Sequence, residues 1–210
     1  MVKILWHQTV VRDGWHNAFT DLCFWRDIYW LTFRRGSAHV SPDGGVIVMR
    51  SVDLKRWHKI AYIKTVGDDR DPKFCSAGDR LYVYFGTWLP RPENWPDKGF
   101  GPLVTHVCFT EDGTRWSDPV PAYEQNYWLW RVRYHDETFY SPAYGWDDPR
   151  EKNRSFLDLL TSQDGIKWKK VCRIAGVEDQ PDEADLFFQP NDELWCITRS
   201  TRSPDHSLFY

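Results

Sequence analysis

Residues able to do chemistry gather at the two ends of one stretch, PDEADLFFQPNDELWCITRS, residues 181–200. Its β-prone runs EADLFF and ELWCIT flank QPND, a cluster of turn formers, and so read as two antiparallel strands that bring Glu183 beside Arg199. Such a pair is either a cross-strand ion pair or part of a ligand site, since a guanidinium meets a planar carboxylate with a bidentate fork and a carboxylate can carry protons. A second concentration is FRRGSAHVSPDGG, residues 33–45, with Arg34, Arg35, His39 and Asp43. There Asp43 can brace the SPDGG turn, in which the glycines permit the bend.

Other chemistries lack their residues. The 7 His show no H-E-x-x-H or similar spacing, the 5 Cys no C-x-x-C, and no glycine-rich phosphate loop is present, so neither a metal nor another cofactor is expected. The cysteines read as small apolar strand residues. Net charge is -3 with Lys and Arg scattered among acids, which argues against nucleic acid. The opening MVKILWHQTVV has neither the length nor the cleavage site of a signal peptide and cannot span a bilayer, so a cytoplasmic location is the default and no membrane contact is expected. The 13 Trp and 10 Tyr suit core packing and also the flat apolar faces of sugars.

The elements that must position these residues are set by a repeat. TSQDGIKW (161–168), FTEDGTRW (109–116) and SVDLKRW (51–57) share the pattern S/T-x-D-x-x-x-W, with Leu54 where the other two have glycine. Each follows one β-rich run and precedes another, which predicts a hairpin turn in which Asp accepts backbone N–H groups and the Trp packs beneath. The boxes recur about every 52 to 59 residues, and helical patterning is nearly absent. The expected fold is therefore all-β, a propeller in one partial domain over 1–210, with four-stranded blades over about 14–65, 66–122 and 123–173 and an incomplete fourth from 174 to 210. Three and a half blades would leave strand edges open to self-association.

Propellers place ligands at a channel mouth near the start of each blade's first strand. The residues predicted there are His16, Asn17 and Asp21; Arg70 and Asp71; Trp130 and Arg131; Asp182, Glu183 and Asp185. Convergent carboxylates and guanidiniums would suit an anionic or hydroxyl-rich ligand, and salt bridging between blades accounts equally well for Arg70 and Arg131. The Pro/Gly-rich loop 90–102 could overhang this mouth, where its Trp95 would stack on a sugar.

The boxes resemble the Asp boxes of sialidases and other BNR-repeat proteins. HNAFTDL, FRRGSAHVSPDGGVIVMRSVD, RDPKF, WLWRVRYH and DEADLFF…ITR, in that order, are similar to the sialidase-like six-bladed propellers, over nearly the whole chain but only the first two thirds of such a fold. The resemblance implies an exo-glycosidase that removes terminal sugars, acidic ones included, and a carbohydrate ligand. It implies Glu183 as the base that activates a tyrosine nucleophile, Arg199 as a carboxylate ligand and Asp43 as the acid that protonates the leaving oxygen. The family's Arg-Ile-Pro arginine is replaced here by HNAFTDL, and Arg34 is the candidate to compensate. The family's tyrosine and third arginine would lie beyond Tyr210, so no sialidase turnover is expected of these 210 residues alone. Two alternatives stand beside this reading. One is a non-catalytic carbohydrate-binding propeller; the other is a five-bladed furanosidase-type enzyme using Asp21, Asp71 and Glu183.

Overall fold

The computed structural model describes residues 3–93, 101–148, 150–151, 154–191, 193–202 and 207–210; Trp95 and most of its loop lie outside them. All regular structure among these residues is β. The first sheet is β1 (His16–Trp25), β2 (Ile28–Gly36), β3 (Gly45–Ser51) and β4 (His58–Ile63). The second is β5 (Asp68–Ala77), β6 (Arg80–Trp88), β7 (Leu103–Thr110) and β8 (Val120–Pro121). The third holds β9 (Tyr127–Leu129), β10 (Arg133–His135), β11 (Thr138–Gly145), β12 (Phe156–Ser162) and β13 (Lys169–Ala175), and the last β14 (Pro181–Phe188), β15 (Leu194–Ser200) and β16 (Ser207–Phe209). Each sheet is an antiparallel meander in chain order, and the four stand as blades in a propeller arrangement.

Alternation along the strands builds the packing between blades. In β2, Trp30 and the side chains two and four residues on face one way, and Leu31 and Phe33 face the other. Trp30 joins Val46 and Val48 against Phe74, Leu81 and Val83 of the second blade. Tyr82, Tyr84 and Val107 meet Phe139, Leu160 and Trp168 of the third, and Leu157 meets Ala184, Leu186 and Cys196 of the fourth. Phe33, Ile47 and Met49, on the outer face of the first blade, are covered by Val10 and Val11.

The three boxes form the same hydrogen-bonded turn. Asp53 Oδ1 accepts from the N–H groups of Lys55 and Arg56, Asp112 Oδ1 from Thr114 and Arg115, and Asp164 Oδ1 from Ile166 and Lys167. Gly113 and Gly165 have φ of +71° and +73°, and Leu54 takes the same left-handed conformation at 61° despite its Cβ. The turns also join blades, because the hydroxyls of Tyr82 and Tyr84 donate to the carbonyls of Asp164 and Gly165 at 3.1 and 2.6 Å. Tyr84→Phe should therefore cost about 1–3 kcal/mol in urea unfolding, the penalty of a buried carbonyl left without its donor. A loss below the error of the measurement would show that the turn does not staple the blades.

The first strand of every blade breaks its ladder at the same level. Register shifts occur between Ala18 and Asp21, between Arg70 and Lys73, and between Pro181 and Ala184. In the third blade the break is complete: β9 and β10 both pair with β11, separated by Trp130–Val132. Pro142 of β11 lies in that interval and has no N–H to offer the ladder. Phe19 and Asp71 sit in their bulges with φ of 59° and 50°. Bulges of this kind turn side chains out of the pleat, and here they turn them toward one cavity.

Candidate functional site

The cavity has a volume of about 310 Å³ and draws on all four blades. Much of its lining is aromatic: Phe19, Trp88, Trp128, Trp130, Tyr144 and Trp146. Trp128 anchors this wall, stacked on Tyr144 at 5.8 Å and edge-on to Trp88 and Trp130 at 5.8 and 5.6 Å. It can lie there because residue 86 of β6 is glycine; a Cβ at Gly86 would come within 2.3 Å of Trp128 Cε2. The same lining carries His39, Arg70, Asp71, Asp182, Glu183 and Arg199.

The polar residues are tied to one another. Arg199 Nε lies 2.8 Å from Asp182 Oδ1 and Nη2 2.7 Å from Oδ2, a fork-to-fork pair, with Glu183 Oε1 at 3.5 Å from Nη2. Arg70 stands 4.8 Å above the ring of Phe19, with Asp68 at 3.6 Å and Asp71 at 3.7 Å. Burial pushes the Asp71 carboxyl above its ordinary 3.8, against the opposing pull of Arg70 and Lys73. Glu183 is raised above 4.5, first by burial and then by Asp182 and Asp71, with Arg199 opposing. Two carboxyl groups in one cavity thus hold protons more tightly than free side chains.

The raised Asp71 has a cost in stability. Its folded form binds a proton more tightly than the unfolded chain, so its contribution is most favourable below 3.8 and declines as pH rises through the raised folded value. Asp71→Asn, which mimics the neutral acid, should melt higher than the parent at neutral pH, with the difference shrinking toward pH 3.8. A variant that melts lower throughout would show that the pairing with Arg70 outweighs burial.

Of the residues expected at this site, Glu183, Arg199, Arg70 and Asp71 line the cavity and Arg34, Asp43 and Arg131 do not. Arg34 is fully buried, with Nε at 2.8 Å from Asp68 Oδ1 and its other nitrogens on the Ala38 carbonyl and Ser41 Oγ; its fork is used by the loop it supports. Asp43 braces that loop, accepting from the N–H and hydroxyl of Ser37. Hydrogen bonds from Ser41 and Ser37 hold its carboxyl down at about 2, the wrong direction for a proton donor. The loop sends His39 to the cavity instead. Arg131 reaches across blades to both oxygens of Asp21, at 3.0 and 2.9 Å. Asp185 is paired with Arg133, and among the described residues no cluster of His, Cys, Asp or Glu could hold a metal. Apart from Trp130, the aromatic lining is what the sequence reading missed. Its signals, Gly86 and Pro142, mark close approach and a broken ladder only once the strands are paired.

No family model and no curated protein matches the sequence. Among solved structures, a Dyadobacter fermentans protein of unknown function superposes with a TM-score of 0.77 at 20% identity, covering 94% of this chain and 66% of that one. A Trypanosoma rangeli sialidase gives 0.70 at 16% over 95% of this chain and 36% of the sialidase. The fold matches that of sialidase-like propellers. A GH32 β-fructofuranosidase of Bombyx mori follows at 0.65 and 12% identity, over 94% of this chain and 47% of the enzyme. At such identities the likeness is one of fold, and this chain spans about two thirds of the first of these proteins and less than half of the other two.

Proposed function

We infer that the cavity binds a terminal sugar of a glycan and hydrolyses its glycosidic bond, with Asp71 and Glu183 as the carboxyl pair. The observation that carries this reading is the joining, in one cavity, of an aromatic wall with two carboxyl groups of raised proton affinity. Aromatic rings take the C–H face of a sugar, and the carboxylates accept its hydroxyls. Glycosidic cleavage needs one group to protonate the leaving oxygen and another to direct or replace the attacking water. The propeller relatives include a sialidase and a β-fructofuranosidase, which supports a glycosidase-like site without choosing between them. The carboxyl pair makes no use of a tyrosine nucleophile, so the reading does not depend on the sialidase mechanism.

The test is a panel of chromogenic pyranosides, furanosides and sialosides, read both by aglycone release and by quenching of tryptophan fluorescence. Release from at least one member, lost when Glu183 is replaced, is the expected result. Saturable quenching without release would reduce the site to a carbohydrate-binding one, and neither signal from folded protein would overturn the reading.

A further inference from the structure

The arginines that could receive an acidic sugar are each already matched with a carboxylate of this chain. Arg199 is held by Asp182, Arg131 by Asp21, Arg133 by Asp185 and Arg34 by Asp68, while Arg70 stands between Asp68 and Asp71. The lining itself holds two guanidiniums, Arg70 and Arg199, against three carboxylates, Asp71, Asp182 and Glu183. Lys73, its ammonium 5.3 Å from the Trp130 ring, does not line the cavity, though its charge acts on Asp71 and Glu183. Asp182 holds the Nε–Nη2 edge of Arg199, and a ligand carboxylate could take that edge only by displacing it, which would leave three carboxyl groups crowded about one guanidinium. Like charges at such range cost several kcal/mol.

We propose that Asp182 is the specificity-determining residue of this cavity: by occupying the fork of Arg199 it restricts the ligand to uncharged, hydroxyl-rich sugars and excludes acidic ones. This rests on the sugar-site reading above and narrows its substrate class. A neutral sugar needs no displacement. Its hydroxyls donate to the free lone pairs of Asp182 and Glu183, and its apolar face lies on the tryptophans. The Asp182–Arg199 pair is an acceptor and donor set of near-zero charge, and it sits on adjacent strands, β14 and β15, that hold it in place.

The experiment titrates tryptophan fluorescence with methyl glucoside, galactoside, arabinoside and fructoside as the neutral set, and with glucuronate, galacturonate and N-acetylneuraminate as the acidic set. The parent is expected to bind a neutral member at least about 10-fold more tightly than its acidic counterpart, the size of one charge-assisted hydrogen bond lost. Asp182→Asn frees the fork and should shift that ratio toward the acidic set by about 10-fold or more, and adding Arg199→Met should reverse the gain. Arg199→Met alone, which does not depend on the fold tolerating Asp182→Asn, leaves the Asp182 carboxylate without its partner and should move the ratio further against the acidic set. Preferred binding of acidic sugars by the parent, abolished by Arg199→Met, overturns this inference and leaves the sugar site standing. An unchanged ratio in a folded Asp182→Asn protein overturns it as well. Binding of neither set by any variant overturns the sugar site and this inference with it.

Discussion

Replacement of Glu183 by glutamine is expected to slow glycoside hydrolysis by about 10²–10⁴-fold, the range for loss of a positioned acid or base, with the affinity for the same sugar changed by less than about 3-fold. Glutamine keeps the shape and one acceptor oxygen, so it preserves contacts to hydroxyls and removes only the proton-carrying and charged character. The split matters because Glu183 also lies 3.5 Å from Arg199. If its role were only to hold that arginine, substitution would alter binding and leave the rate constant of the bound sugar nearly unchanged. Half-buried and raised by burial, by Asp182 and by Asp71, the Glu183 carboxyl keeps its proton to higher pH than a free glutamate. The pH limb that it governs should accordingly lie above the ordinary 4.5 and vanish in the variant. Single-turnover measurement of hydrolysis beside a fluorescence titration separates the two outcomes.

Removal of Asp68 is expected to be the most destabilising single change near the site. Its carboxylate takes Nε of the fully buried Arg34 at 2.8 Å and the N–H of Ser41 at 3.2 Å, and lies 3.6 Å from Arg70. Asp68→Ala would leave Arg34 charged and dry with only the Ala38 carbonyl and Ser41 as partners, a loss of about 3–5 kcal/mol for breaking a buried pair from one side. That is a large share of a typical domain's stability, so partial unfolding at ambient temperature is within range. The double replacement Arg34→Met with Asp68→Leu should recover much of the loss, since a buried ion pair is often replaceable by apolar groups of similar volume. Urea unfolding of the three variants checks this. A fall in sugar affinity for Arg34→Met at unchanged stability would instead return Arg34 to the ligand site.

These two predictions divide residues that look alike in the sequence. Arg34 and Arg199 both end a strand of alternating apolar residues, and each has an acidic residue nearby in the chain. Only pairing across blades distinguishes them: Asp68, which neutralises Arg34, is 34 residues away in the next blade, whereas Asp182, which neutralises Arg199, is on the adjoining strand of the same blade. The same holds for Arg131, whose partner Asp21 is 110 residues distant. Asp43 is engaged for a local reason, because the serines of its own loop hydrogen-bond its carboxylate.

What the chain decided by itself was what short-range chemistry can decide. Period-two alternation made the strands, Asp and Gly in the boxes closed their turns, and the spacing of those turns set the blades, since each depends on residues within about ten positions of one another. The direction of the side chains at the mouth was left to the tertiary structure. Whether Phe19, Asp71, Trp130 and Glu183 point into a blade interface or into the channel depends on bulges, and a bulge is a mismatch between two strands rather than a property of either. The assembly of four such breaks at one level brought the aromatic residues and the carboxylates into one cavity. It also fixed which of the arginines would face the cavity, because the charge balance of a buried site is settled by whichever opposite charge the fold brings within reach.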